Sequence, residues 1–133
     1  METTTTSSPR PIVGWSLMAI GMLHTLTGLA SQWSRITTAL AEDGVGTWAS
    51  SAETAAAYWF LVAGAALILL GGTIAALERH EPALPRGVLA GLAALTIGGI
   101  ITMPASGFWF LTIPLVLGLL RRRGQAGPTA SAG

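Results

Sequence analysis

The amino-acid sequence predicts an all-α integral membrane protein, a four-helix bundle with both termini in the cytoplasm. Residues 11–31, 55–77 and 87–120 contain no Asp, Glu, Lys or Arg, and a run of about 20 apolar residues is what a helix needs to cross a bilayer. The third run is too long for one crossing and long enough for two short ones. The arginines lie on alternate connections, as expected when short cytoplasmic loops carry the positive residues.

The first helix is predicted over residues 12–31. A secretory signal peptide is the alternative, because Arg10 precedes an apolar run and Ala39-Leu40-Ala41 has the small-x-small form of a cleavage site. The run is longer than the roughly 7–15 residues of a signal-peptide core, and the cleavage site would lie about ten residues beyond its end. A membrane helix that stays attached is therefore the prediction.

A short interfacial helix is predicted in the first external loop, residues 32–54. One helical face is indicated by residues that recur there at i, i+3, i+4 and i+7, namely Trp33, Ile36, Thr37 and Leu40. This face would lie on the membrane while Arg35 and Glu42 point to water. Gly44 is expected to end the helix.

The second helix is predicted over residues 55–77, with its start near Ser51. Ser50-Ser51-Ala52-Glu53 matches a capping box, in which Ser50 accepts a hydrogen bond from the Glu53 N–H and Glu53 reaches back. Glu53 is therefore interpreted as a helix cap and not as a catalytic carboxylate.

The third and fourth helices are predicted over residues 87–103 and 106–120, joined by a tight turn. Pro104 lacks an N–H and disfavours helix at Met103, and Gly107 tolerates a positive φ angle.

The arginines predict the orientation, because they divide six to one between the two sides. With four crossings, one side holds only Arg35. The other side holds Arg10, Arg79, Arg86, Arg121, Arg122 and Arg123. Both termini are therefore predicted in the cytoplasm, in one fixed orientation. Residues 11–123 form one membrane domain in this prediction, with disordered ends at 1–10 and 124–133.

Composition excludes several classes of function. Of 133 residues, 51% are apolar and 10% are charged, which leaves little room for a soluble domain. The absence of cysteine excludes thiolate catalysis, disulfide exchange and cysteine-ligated metal sites. The net charge of +1 comes from arginines that would contact anionic membrane lipids, and it indicates no nucleic-acid partner.

Glycines recur every seven residues within the predicted helices and form stripes of small side chains. Such stripes let helix backbones approach closely in lipid. The predicted packing positions are Gly14, Gly21, Gly28, Gly64, Gly71, Gly91 and Gly98. Gly87 and Gly91 also make a GxxxG match, for which dimerisation is the alternative to packing within the bundle.

His24 is the candidate functional residue, because it is the ionisable side chain predicted to lie within the hydrocarbon. Gly21 and Gly28 flank it at i−3 and i+4, on one helical face, which directs the imidazole toward the bundle interior. A hydrogen bond to another helix would make His24 structural, with Thr96 or Ser106 as candidate partner. Contact with a ligand, proton or substrate would make it functional.

Aromatic residues are concentrated in the external half of the predicted topology. In one interpretation some of these rings line an externally open cavity above His24, with Tyr58, Trp59 and Trp109 as the candidate ligand-binding residues. The alternative is an interfacial belt combined with packing between Trp59 and Trp109.

Two charged segments are interpreted as structural. Residues 78–81 would form a short solvated turn instead of a metal site, and the three arginines 121–123 would anchor the chain to anionic lipid. The sequence contains no phosphate-binding loop, zinc-protease motif or nucleophile elbow. No catalytic residue and no metal ligand is predicted.

A family resemblance rests on motifs in the first, third and fourth helices. They are Gly14-Trp15, Gly21-xx-His24-xxx-Gly28, and Pro104-Ala105-Ser106-Gly107-Phe108-Trp109 with Pro114. Over most of residues 12–120 the chain resembles a group of small four-helix bacterial membrane proteins catalogued as a domain of unknown function. The resemblance implies this architecture and the bacterial inner membrane, and implies no activity. A looser likeness to DoxX-type proteins, some linked to quinone or redox partners, is carried by no motif.

The predicted function is a non-enzymatic membrane bundle that binds an apolar small molecule, a lipid or a partner helix at its external half. The alternative is a redox or cofactor-binding protein, for haem or quinone, that uses His24. A haem would require His24 to act alone, to pair with a symmetry-related copy, or to find a methionine such as Met22 or Met103. The sequence does not identify a cofactor. Small multidrug transporters use an acidic residue in the first helix, which residues 11–31 lack, and the arginine bias opposes the dual insertion of fluoride channels.

Overall fold

A computed structural model describes residues 10–42, 46–81 and 83–125 of the chain. The α-helices are α1 (Ile12–Ala41), α2 (Ala52–His80), α3 (Arg86–Thr102) and α4 (Thr112–Gln125), with 3₁₀ helices at Thr47–Ala49 and Gly107–Leu111. These described residues include no strand, so the all-α class with four helices is confirmed. The predicted disordered ends fall almost wholly outside the described residues, and so does Gly44.

Helix α1 continues about ten residues beyond its predicted end. The segment predicted as a separate interfacial helix is the last part of α1, because no proline or glycine interrupts the chain between Ser31 and Ala41. The residues predicted to face the membrane do not share one environment, since Ile36 is buried against the protein while Trp33 and Leu40 are exposed. The sequence pattern therefore identified a helix correctly and its separation from the first helix wrongly.

The cap of α2 is shifted by one residue from the predicted capping box. Ser51 is the N-cap, its hydroxyl accepts from the backbone N–H of Thr54, and the Thr54 hydroxyl accepts in return from the Ser51 N–H. Glu53 is thereby free of the capping role and pairs with Arg35 across 3.2 Å. Both side chains of this pair are exposed.

Helices α1 and α2 pack through their glycine stripes. A Cβ atom on Gly14 would lie 2.3 Å from the backbone nitrogen of Ala75, and one on Gly71 would lie 2.6 Å from the backbone nitrogen of Met18. Gly21, Gly28 and Gly64 also face side chains of the other helix at less than contact distance for an added Cβ. Only glycine permits this approach of the two backbones.

Helix α3 uses a different glycine from those predicted. Gly91 and Gly98 face open space in the described structure, whereas a Cβ on Gly99 would lie 2.1 Å from the Phe108 ring. A Cβ atom on Gly118 of α4 would likewise lie 2.6 Å from the Leu89 side chain. The packed face of α3 is therefore rotated away from the Gly91–Gly98 stripe.

The turn between α3 and α4 begins where the proline predicted it. Helix α3 ends at Thr102, and the Ser106 hydroxyl caps the 3₁₀ helix by accepting from the Phe108 N–H at 3.5 Å. The Trp109 indole donates to the Pro104 carbonyl at 2.8 Å and closes the turn. Gly107 has no positive φ angle; among the described glycines that conformation occurs at Gly46, with φ 86°.

The bundle is open between α2 and α3. Helix α1 packs against α2 and α4, and α3 packs against α4 and the Gly107–Leu111 segment, but α2 and α3 do not pack closely in the described part of the chain. The buried apolar core comes from α1, the end of α2, α3 with the segment before it, and the 3₁₀ helix before α4. It consists of Val13, Leu17, Ile74, Leu84, Leu89, Leu92 and Leu111, and Leu115 and Leu117 of α4 pack against it. A gap therefore remains between α2 and α3, beside α1.

Two helices of the described chain, α1 and α2, are long and apolar enough to cross a membrane. Helix α3 is apolar but shorter, with 17 residues. Most residues of the two long helices are not buried within the protein.

Candidate ligand-binding site

His24 projects from α1 onto α2, as its flanking glycines predicted. Its Nε2 atom lies 3.1 Å from the carbonyl oxygen of Phe60. The imidazole stacks on the Phe60 ring, with centroids 3.8 Å apart and planes 9° from parallel. Gly64 leaves space for this arrangement, because a Cβ there would lie 3.3 Å from Cδ2 of His24.

The hydrogen-bond partner of His24 is therefore a backbone carbonyl and neither of the two predicted hydroxyls. Thr96 donates to the carbonyl of Leu92, one turn back on its own helix, and Ser106 donates to the carbonyl of Met103. Both hydroxyls satisfy themselves locally, as Ser and Thr commonly do. The α1–α2 approach brings Phe60 to the imidazole instead.

A pocket of about 590 Å³ opens beside His24. Its walls come from α1, from α2, from Leu95 of α3 and from the turn after α3. The polar side chains on these walls are His24, Thr27 and Ser106, and the rest of the lining is apolar. The pocket occupies the gap between α2 and α3.

The predicted aromatic residues lie outside this pocket. Tyr58, Trp59 and Trp109 are exposed on the surface, and the ring of Tyr58 contacts the edge of Trp59 with centroids 5.5 Å apart. Phenylalanines line the pocket in their place, at Phe60, Phe108 and Phe110. Phe60 could have been found from the sequence, because it lies at i+3 from Ala57 and i−4 from Gly64 on the small-residue face of α2.

A second polar cluster joins the ends of three helices. The carboxylate of Glu78, only 1% exposed, accepts from the backbone N–H groups of Val13 and Gly14 at 3.3 and 2.8 Å. Arg121 of α4 donates to the same carboxylate at 2.5 Å and to the carbonyl of Arg10 at 3.1 Å. Glu78 therefore caps the start of α1 from another helix.

The predicted solvated turn at residues 78–81 is wrong, because α2 continues to His80 and buries Glu78. The start of α1 has unsatisfied N–H groups and a partial positive charge, and its N-cap, Pro11, provides no side-chain acceptor. A buried carboxylate supplies both the acceptor and the charge. The signal was present in the sequence, since Glu78 extends the seven-residue spacing of Ala57, Gly64 and Gly71.

Metal-binding groups do not cluster in this part of the molecule. Among the described residues, no three His, Cys, Asp or Glu side chains come together as ligands. His80 and Glu81 are exposed at the end of α2.

Comparison with protein families connects this geometry to other chains. The model of a family of unknown function (DUF6463) matches residues 8–125, which include all four helices, the pocket and the Glu78 cluster. The chain belongs to this family. Neither a curated protein nor a solved structure matches the chain. The looser likeness to DoxX-type proteins is not shown by any comparison.

Proposed function

We propose that this member of the family is a multi-pass membrane protein that binds an apolar molecule in the pocket beside His24. The observation that carries the proposal is the pocket itself, about 590 Å³ in volume, apolar in lining and provided with few polar side chains. Small-molecule sites have this character and a volume of about 300–1,000 Å³.

Exposed apolar side chains support the membrane location. They occur on every helix, and large examples are Leu26, Leu69, Ile101 and Leu120 at 60, 71, 75 and 57% exposure. Water would make such a surface aggregate, whereas lipid solvates it. The six-to-one division of arginines supports both termini on the cytoplasmic side of a bacterial inner membrane.

The two shorter helices also fit crossings of a bilayer. Helix α3 is about 25 Å long, and the 3₁₀ helix plus α4 as far as Leu120 reaches about 24 Å. Both fall a little short of ~30 Å, a mismatch that flanking arginines accommodate by extending their side chains to the interface. Arg86 is the first residue of α3, and Arg122 and Arg123 follow the apolar part of α4.

In this orientation the pocket lies in the external half and opens sideways to lipid. His24 is about 18 Å along α1 from Ile12, beyond the middle of the hydrocarbon. The opening lies between α2 and α3, which do not pack closely. An apolar ligand would enter from the bilayer without crossing water.

The dimensions favour a small molecule over a partner helix. The lining extends from Ile20 to Thr27 on α1 and from Phe60 to Leu70 on α2, which are about 10 and 15 Å of helix axis. The turn after α3 and the 3₁₀ helix that follows add Phe108 and Leu111 to the lining. A helix docks into a surface groove, whereas this pocket of about 590 Å³ has walls from three helices and the turn after α3.

The test is photolabelling of the purified protein in phosphatidylcholine vesicles with a dodecyl diazirine probe. We expect saturable labelling of peptides that contain pocket residues, and we expect Ala66→Phe to reduce it because Ala66 lines the pocket. Ala65→Phe is the matched control, since Ala65 is exposed and outside the pocket. Labelling that is unsaturable, or equal in the two variants, would show that the probe reports only bulk lipid.

A redox cofactor is the second candidate, supported by the presence of both His24 and Met103 on the pocket wall. Met22, the other methionine considered, is exposed and outside the pocket. An absorption spectrum of the purified protein tests the haem form of this candidate. A Soret band that disappears in His24→Ala would replace the apolar-ligand proposal with haem binding.

A further inference from the structure

We infer that the ligand of this pocket is an apolar chain with a neutral hydroxyl head, which donates a hydrogen bond to Nδ1 of His24. The inference rests on the proposed function and adds the chemical class of the ligand. It follows from the hydrogen-bond donors and acceptors of the pocket side chains that have no partner within the protein.

The contact with Phe60 determines the tautomer of His24. A backbone carbonyl only accepts hydrogen bonds, so Nε2, 3.1 Å from the Phe60 oxygen, carries the proton. In the neutral imidazole the other nitrogen, Nδ1, is then an acceptor. No buried side-chain nitrogen or oxygen of the described residues lacks a partner. Since Nδ1 has no protein partner, it is accessible, on a residue that lines the pocket.

The two hydroxyls on the pocket wall donate their hydrogen bonds to backbone carbonyls of the protein. Thr27 donates to the carbonyl of Leu23 at 2.8 Å. Ser106 donates to the carbonyl of Met103 at 2.6 Å and accepts from the Phe108 N–H. The side chains of the pocket therefore offer acceptors without donors. A ligand hydroxyl complements them, an ether does not, and a carboxylate places its negative charge against lone pairs.

The acceptor is also held in place before a ligand arrives. Stacking on Phe60 and the hydrogen bond to its carbonyl restrict rotation of the imidazole about both side-chain torsions. Gly64 lies beside the ring, because a Cβ atom at position 64 would lie 3.3 Å from Cδ2 of His24. A preorganised acceptor loses little entropy on binding.

The experiment is competition against the dodecyl diazirine probe by 1-dodecanol, 1-methoxydodecane and dodecanoate in phosphatidylcholine vesicles. Because the three compounds partition differently into lipid, each alcohol-to-ether ratio is normalised to that of His24→Phe, which keeps the stacked ring and lacks the acceptor. We expect the normalised preference of the unmodified protein for the alcohol to be roughly 3- to 10-fold, the value of one neutral hydrogen bond. Dodecanoate should compete less well than the alcohol.

His24→Gln is the second variant, because its amide can donate to Phe60 and still present an oxygen to the pocket. His24→Gln should retain a preference for the alcohol. This result would show that substitution at position 24 does not by itself abolish the preference, so that its loss in His24→Phe reports the missing acceptor. An alcohol-to-ether ratio in the unmodified protein that equals the ratio in His24→Phe would overturn this inference while leaving the apolar pocket intact. No competition by any of the three compounds would overturn the proposed function itself.

Discussion

Loss of the Glu78 carboxylate should destabilise the protein far more than loss of an exposed acidic residue. In Glu78→Leu the N–H groups of Val13 and Gly14 lose their acceptor and the guanidinium of Arg121 loses its counter-charge. Removing one partner of a buried ion pair costs about 3–5 kcal/mol, and each buried N–H left without a partner costs about 1–3 kcal/mol. Because these costs overlap, we expect the free energy of unfolding to fall by about 3–5 kcal/mol.

The measurement is equilibrium unfolding in mixed micelles, followed by far-ultraviolet circular dichroism. Glu53→Leu is the matched control, because the Arg35–Glu53 pair has side chains 43 and 73% exposed. Such exposed pairs contribute less than about 1 kcal/mol. The double variant Glu78→Leu/Arg121→Leu should be more stable than the sum of its single variants predicts, since both members of the ion pair are then absent. Equal losses in Glu78→Leu and Glu53→Leu would refute the role assigned to the buried carboxylate.

Three further predictions concern topology and packing. The chain has no cysteine, so a cysteine placed at Ala49 should react with an impermeant maleimide in intact cells and one at Ala83 should not; the reverse pattern would contradict the proposed orientation. Gly71→Ala should lower thermal stability in detergent because an added Cβ meets the α1 backbone, whereas Gly91→Ala should not, and similar melting of both would place the stripe outside the interface. Gly99→Ala should displace the Phe108 ring and reduce photolabelling of the pocket; unchanged labelling would show that this ring does not shape the site.

Local features of the sequence were sufficient to predict the helices. Apolar runs, Pro104 and the serines before α2 predicted four helices, because hydropathy and backbone restrictions act within a few residues. The same reasoning placed the end of α1 too early. It treated the change from apolar to mixed residues after Ser31 as a helix end, although nothing there breaks a helix.

Seven-residue spacing carried information about helix contacts, but only part of it was used. The glycines of α1 and α2 meet in the structure, and the same spacing in α2 leads on to Glu78. The charge of Glu78 indicated exposure to solvent. Its partners were not recognised because they are the N–H groups of α1 and an arginine more than 40 residues away. Such long-range pairing is invisible to local pattern.

The sequence by itself determined that the chain forms four apolar helices and that His24 lies on the glycine face of the first. Only the tertiary structure decided what His24 contacts and which residues wall the pocket. These depend on the rotation of each helix about its axis, which turns Gly99 toward Phe108 and leaves Gly91 and Gly98 open. They also depend on the gap between α2 and α3, because the packing of all four helices together determines whether two of them touch.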